Sequence, residues 1–234
     1  METRIGDLRH SRDDRRKLSE LTKEYVRTYF MYMGRPSFRN QIIASGMQTV
    51  HQRGFSTVGL REITARAGVA QGSFTNHFAS KEEFGVAVLD HYFDQLRVVM
   101  AQTLDDETRK PIDRLRAYFD RIIELFASSG WRYGCLAGNM GLEASEHSEL
   151  VRQRLNEIFP EWAGRFAAVI RQAQRSAEVS ADLDPEELGA ALLDGWQGAM
   201  LRMKIERSSA PLIRFRELVF PALLRPCAPL TVNP

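Results

Sequence analysis

Leu60-Arg61-Glu62-Ile63-Thr64-Ala65-Arg66-Ala67-Gly68-Val69-Ala70-Gln71-Gly72-Ser73-Phe74-Thr75-Asn76-His77-Phe78 is the stretch that decides the fold. Leu60, Ile63 and Ala67 at helical spacing predict one helix over residues 60–67. Gly68-Val69 makes a turn, and a short second helix is expected over about residues 71–77. Helix, sharp glycine turn, helix is the arrangement that lays its second helix into the major groove of DNA. Upstream, Ile42, Ile43, Met47 and Val50 recur at helical spacing until Gly54 ends the run, and Phe55 and Val58 follow as core residues. Downstream, Ser80-Lys81-Glu82-Glu83 is a capping box that opens a long helix to about Leu104.

Charge points the same way. Between residues 35 and 81, Arg35, Arg39, Arg53, Arg61, Arg66 and Lys81 stand against Glu62 alone, a local charge of +5 in a chain whose total is +2. Residues 1–34 hold eight bases and six acids, so residues 82–234 carry a net −5. A basic module joined to an acidic body suits a protein that docks on phosphates with one part and performs a second task with the other.

Composition excludes several classes. With 234 residues and 44% apolar content, the chain can bury a sizeable core. It has no apolar run near the ~20 residues that span a bilayer and no apolar leader, so a cytoplasmic protein without membrane contact is expected. Cys135 and Cys227 are too few for a disulfide framework, and in a reducing compartment both are thiols. His10, His51, His77, His91 and His147 lack metal-ligand spacing and read as structural or exposed, so neither a metal nor a cofactor is implied.

Side-chain chemistry assigns roles within the basic module. Gln71, Ser73, Thr75, Asn76 and His77 are polar groups on or next to the second helix, suited to base edges and phosphates, and Gly72 lets the backbone approach the duplex. Lys81, at the start of the long helix, can share a phosphate with the free N–H groups of its first turn. Arg35, Arg39 and Arg61 supply further phosphate or minor-groove contacts. Phe74 and Phe78 share the apolar face with Val69 and Phe84 and read as core.

Gly54-Phe55, Leu60-Arg61-Glu62-Ile63, Ala67-Gly68-Val69, Gly72-Ser73-Phe74, His77-Phe78 and Ser80-Lys81-Glu82-Glu83-Phe84, in that order, resemble the DNA-binding domain of the TetR family of transcriptional repressors. The resemblance implies an all-α homodimer on a palindromic double-stranded operator, with a helix-turn-helix domain over residues 34–81. It also implies an effector-binding and dimerisation domain over residues 82–234. Two residues depart from the family pattern: Ala70 stands where a Ser or Thr usually caps the recognition helix, and Thr75 where a Tyr is usual.

Outside the module, residues 1–33 form an extra N-terminal extension, helical or disordered, in which Leu18, Leu21, Tyr25, Tyr29 and Tyr32 keep helical spacing. Pro111 opens a helix carrying Leu115, Tyr118, Phe119, Ile122 and Phe126. The glycine-broken run Gly130–Gly141 then gathers Trp131, Tyr133, Cys135 and Asn139, and Trp162 lies on the next long helix. Such a segment between helices suits a small-molecule effector site. Gly134-Cys135-Leu136-Ala137-Gly138-Asn139 is similar to a segment of the TetR subgroup that responds to reactive electrophiles, which implies a sensing role for Cys135. The thiol of Cys135 is expected to be favoured for attack by Arg132 beside it.

The last two helices show the stripes Leu188, Leu192, Trp196, Met200 and Leu212, Phe215, Val219, with Gly195 and Ala199 allowing close approach. They are expected to meet their copies in a dimer, with packing inside one chain as the competing reading. The whole reads as a non-enzymatic, homodimeric repressor released by a small, electrophilic effector. Two other classes compete: a cysteine-dependent helical-bundle enzyme with an accessory DNA-binding domain, which needs a base for Cys135 that the sequence does not tie to it, and an effector-independent architectural DNA-binding protein.

Overall fold

The computed structural model describes residues 37–226, of which residues 38–226 belong to one unit. The extension 1–33, Arg35 and Cys227 lie outside the described residues. All the elements among the described residues are helical, as the apolar periodicity predicts: α1 (Phe38–Arg53), α2 (Leu60–Ala67), α3 (Gln71–Thr75), α4 (Lys81–Thr103), α5 (Pro111–Ser128), α6 (Leu136–Ala144), α7 (Glu149–Arg175), α8 (Pro185–Glu206) and the short α9 (Ala210–Arg214). A π-helical turn at Phe215–Val219 joins α9 to α10 (Phe220–Leu223).

Local chemistry sets the helix ends. Gly54 and Gly68 stop α1 and α2 with φ of +90° and +66°, a region that favours glycine. At Gly68 the turn closes as a Schellman motif, with Gly68 N–H donating to Ala65 O at 3.2 Å and Val69 N–H to Thr64 O at 3.1 Å. Ser80 caps α4 by accepting from Glu83 N–H at 3.1 Å, while the Glu83 carboxylate accepts from Ala79 N–H at 2.7 Å. Asp184 caps α8 through the N–H groups of Glu186 and Glu187.

Helices α1 to α3 close over Phe74, Phe78 and Phe84, whose ring centroids lie 5.2–5.5 Å apart. Phe84 belongs to α4, so the long helix is rooted in the core of the helix-turn-helix module, called the reader below, before it runs into the body. In the body, α7 and α8 pack face to face, and Gly189 lets their backbones approach. The π-turn residue Phe215 closes the far end against Phe119 and Trp196 at 5.2 Å each.

That packing corrects the interface assignment. Leu188, Leu192, Trp196, Met200, Leu212 and Phe215 are at most 4% exposed within a single chain, so they form its core rather than a meeting surface. The reason is physical: each helix has one strong apolar stripe, and the chain's own core takes it first. The ring of Phe215 fills the space left by Gly195, where a Cβ would lie 3.0 Å from it. Val219 is exposed, together with Leu201, Ile205 and Leu218 on the outer side of the same segments.

A DNA-reading face and a buried thiol site

The face expected to contact DNA is built on α3. Gln71, Gly72, Thr75 and Asn76 are exposed, and Ser73 and His77 are half-buried. Phe74 points inward and is 1% exposed, as expected of a core aromatic. Ala70 has the extended backbone of a cap without a side-chain bond, so the start of α3 lacks the oxygen that Ser or Thr would provide. Thr75 Oγ1 donates back to Gly72 O at 3.0 Å, which leaves the hydroxyl's acceptor side open. No Cβ at Gly72 would meet protein within 4 Å, so that position is open on its outer side.

Around α3 the basic residues divide into two sets. Glu62 sits between Arg53 at 2.7 Å and Arg66 at 3.6 Å, so the module's one acid is shared by two of its bases. Arg61 is exposed, and the exposed Arg39 lies with its guanidinium 5.2 Å over the ring of Phe78. Lys81 is less available than expected: its ammonium donates to Ser56 O at 3.2 Å and lies 5.0 Å over Phe55, and burial lowers its pKa from the ordinary value. In this state it holds the loop before α2 against α4.

The second site gathers around Cys135, which the sequence placed in a loop and the structure makes the N-cap of α6. Cys135 is 3% exposed, and its sulfur receives three donors: Gly138 N–H at 3.4 Å, Tyr92 O–H at 3.6 Å and Gln197 Nε2–H at 3.5 Å. Donors aimed at a sulfur stabilise the negative charge it carries when it attacks an electrophile. Burial, and then the neighbouring Cys135, push the Tyr92 hydroxyl well above its ordinary range, so it remains a donor. Arg132 is exposed and is not among the three donors, so the positive neighbour expected from sequence is replaced by neutral hydrogen bonds.

Among the other expected sensing residues, Trp131 is half-buried with φ of +62°, a left-handed backbone that is uncommon for a non-glycine residue. Tyr133 packs on His51 at 5.2 Å between ring centroids, and Asn139 Oδ1 accepts from Lys204 Nζ at 3.3 Å. Trp162 is buried between Phe93 and Phe159. Sequence reasoning did not find Tyr92 or Gln197, which lie 43 and 62 positions from Cys135 and reach it only through helix packing, nor Lys204, which reaches Asn139.

Two contacts tie this site to the reader. His51 of α1 donates through Nε2 to Gly134 O at 2.6 Å, immediately before the thiol. At the other end of α6, the Glu143 carboxylate accepts from Ser56 N–H at 3.1 Å, and Glu143 O accepts from Ser56 Oγ at 3.3 Å. The thiol therefore caps the start of α6, and Glu143 near the helix's last residue holds Ser56 in the loop before α2.

Comparison with known proteins decides the family. Residues 42–88 match the model of bacterial regulatory proteins of the tetR family, and residues 111–219 match the tetracyclin repressor-like C-terminal domain. The chain belongs to the TetR family. It is a DNA-binding transcriptional repressor of the helix-turn-helix class. It is 42% identical over 192 residues to the HTH-type transcriptional repressor DhaR of Mycobacterium sp. strain GP1, covering 82% of this chain and 95% of that one. It is 36% identical to the transcriptional regulator AcuR of Cereibacter sphaeroides, covering 74% and 80%. The structure of regulatory protein TetR from Rhodobacter sphaeroides superposes with a TM-score of 0.75 at 34% identity, covering 79% of this chain and 97% of that one. Among the described residues, no helix is long and apolar enough to cross a membrane, and no cluster of His, Cys, Asp or Glu could hold a metal ion.

Proposed function

We propose that this TetR-family repressor is a homodimer on a palindromic operator and leaves it when a small electrophile adds to Cys135. The observation that carries the reading is the double role of α6: three donors converge on the sulfur at its start, and Glu143 near its end holds Ser56 of the reader. An adduct adds bulk at a site that is already packed, so α6 must shift, and its grip on the reader shifts with it. Spacing between the two readers of a dimer sets whether both half-sites are reached together.

Within that reading Gln71, Ser73, Thr75 and Asn76 read base edges, while Arg39 and Arg61 neutralise phosphates. The dimer forms through Leu201, Ile205, Leu218 and Val219, which are 47%, 66%, 64% and 38% exposed. Replacing Leu201 and Ile205 together with Arg is expected to give monomers in sedimentation and to abolish tight operator binding.

The test of the sensing role uses fluorescence anisotropy of an operator selected from random DNA. N-ethylmaleimide is expected to release the wild-type protein and to leave Cys135→Ser bound. Equal release of both proteins would assign the response to another group, and turnover of the reagent would favour an enzyme.

A further inference from the structure

A charge taken out of water is normally offset by an opposite charge or by a full set of hydrogen bonds. Arg114, the fourth residue of α5, departs from that rule. It is 3% exposed, its Nε has no partner, and its Nη2 donates to Oε1 of Gln172. Arginine cannot shed its proton, so the charge stays. The carboxylates nearest in the chain and in the helix packing are engaged elsewhere. Asp113 pairs with Arg116 at 3.0 Å, and Glu178 accepts from Ile112 N–H at 3.4 Å and from Ser176 Oγ at 2.7 Å. Among the described residues, none forms an ion pair with Arg114.

Gln172 lies in the last turn of α7 and is exposed, so the guanidinium sits one side chain below the surface. The group above it is an unbranched amide that can turn away into solvent. A carboxylate has the planar shape and size of the amide it would displace. Unlike the amide, it brings the opposite charge, and it can accept two parallel N–H bonds from one guanidinium.

We propose that Arg114, with Gln172 as its displaceable cover, is a reversible site for a small free carboxylate. Ser128, the last residue of α5, lies 14 positions and about 21 Å of helix beyond Arg114, so the site stands at the end of α5 away from the run that carries Cys135. It joins α5 to α7 and is a non-covalent input to the body that does not depend on the thiol.

The experiment follows Tm of the full chain by calorimetry as sodium acetate replaces sodium chloride at constant ionic strength. The wild type is expected to gain about 3 °C in a saturable step, the shift given by a ligand at about ten times its dissociation constant. Arg114→Met keeps the apolar stem without the charge and is expected to lose the step. Gln172→Glu sets a carboxylate of the chain's own on the guanidinium. It is expected to lose the step as well, and to melt at or above the wild-type temperature in chloride. Cys135→Ser is expected to keep the step, which separates this site from the sensing role argued above. A step of wild-type size in Arg114→Met would be a general salt effect and would overturn the site, as would the absence of a step in the wild type. A full step in Gln172→Glu would contradict the displacement of Gln172, and a lost step in Cys135→Ser would contradict independence from the thiol.

Discussion

The reading face and the thiol site solve opposite problems with the same material. On α3 the polar side chains stand in solvent over an apolar floor of Phe74, Phe78 and Phe84, and five successive residues build most of the face. Around Cys135 the polar groups turn inward, and they come from α4, α6 and α8. A surface that reads DNA has to be exposed and local, whereas a pocket that detects a small molecule has to be enclosed and assembled from a distance. The difference teaches where each site is fragile: the helix-turn-helix face in its side chains, the thiol site in its packing.

The largest expected effect tests that fragility in the body. A Cβ at Gly189 would lie 2.6 Å from Ala163 O and 2.9 Å from Ala167 N, backbone atoms that cannot swing aside. Gly189→Ala should therefore force α7 and α8 apart and cost about 3 kcal/mol, seen as a lower Tm in calorimetry. An unchanged Tm would mean that the two helices are not held at this distance.

The contrasting experiment on the reader removes Gln71 or Asn76. Both are exposed, so replacement by Ala should leave Tm unchanged and cost about 1–3 kcal/mol of operator affinity, with altered base preference. A loss of the same size on random DNA would reassign them to phosphate contacts.

A smaller effect probes the hinge between the regions. Burial, aided by Lys204, lowers the His51 pKa below its ordinary 6.5, against the opposing hydrogen bond to Gly134 O. The unfolded chain thus binds a proton more readily than the folded one, so stability contributed at neutral pH is lost as pH falls below about 6.5. Replacing His51 with Gln should flatten the fall in Tm between pH 7 and pH 5, and an identical profile would remove His51 from the account.

The same contrast explains what could be read from the chain alone. The reader was legible because its signals are contiguous: Gly54 and Gly68 end helices, Ser80 starts one, and apolar residues recur every three or four positions between them. Cys135 was legible as a residue but not as a site, since Tyr92 and Gln197 are named only by how α4 and α8 pack. The stripe from Leu188 to Met200 misled for a related reason. Apolar spacing says that a helix face is buried, not whether its own chain or a second copy covers it. The outer pair Leu201 and Ile205, four positions apart on the same helix, is left exposed.

The central claim is that occupation of the Cys135 sulfur and release of the reader are one event. Its most direct measurement loads the protein on bead-bound operator, adds a limiting amount of methyl vinyl ketone, and analyses Cys135 separately in the released and retained fractions by mass spectrometry. The account predicts that released protein carries the Cys135 adduct and retained protein does not. An adduct distributed equally between the two fractions would contradict it.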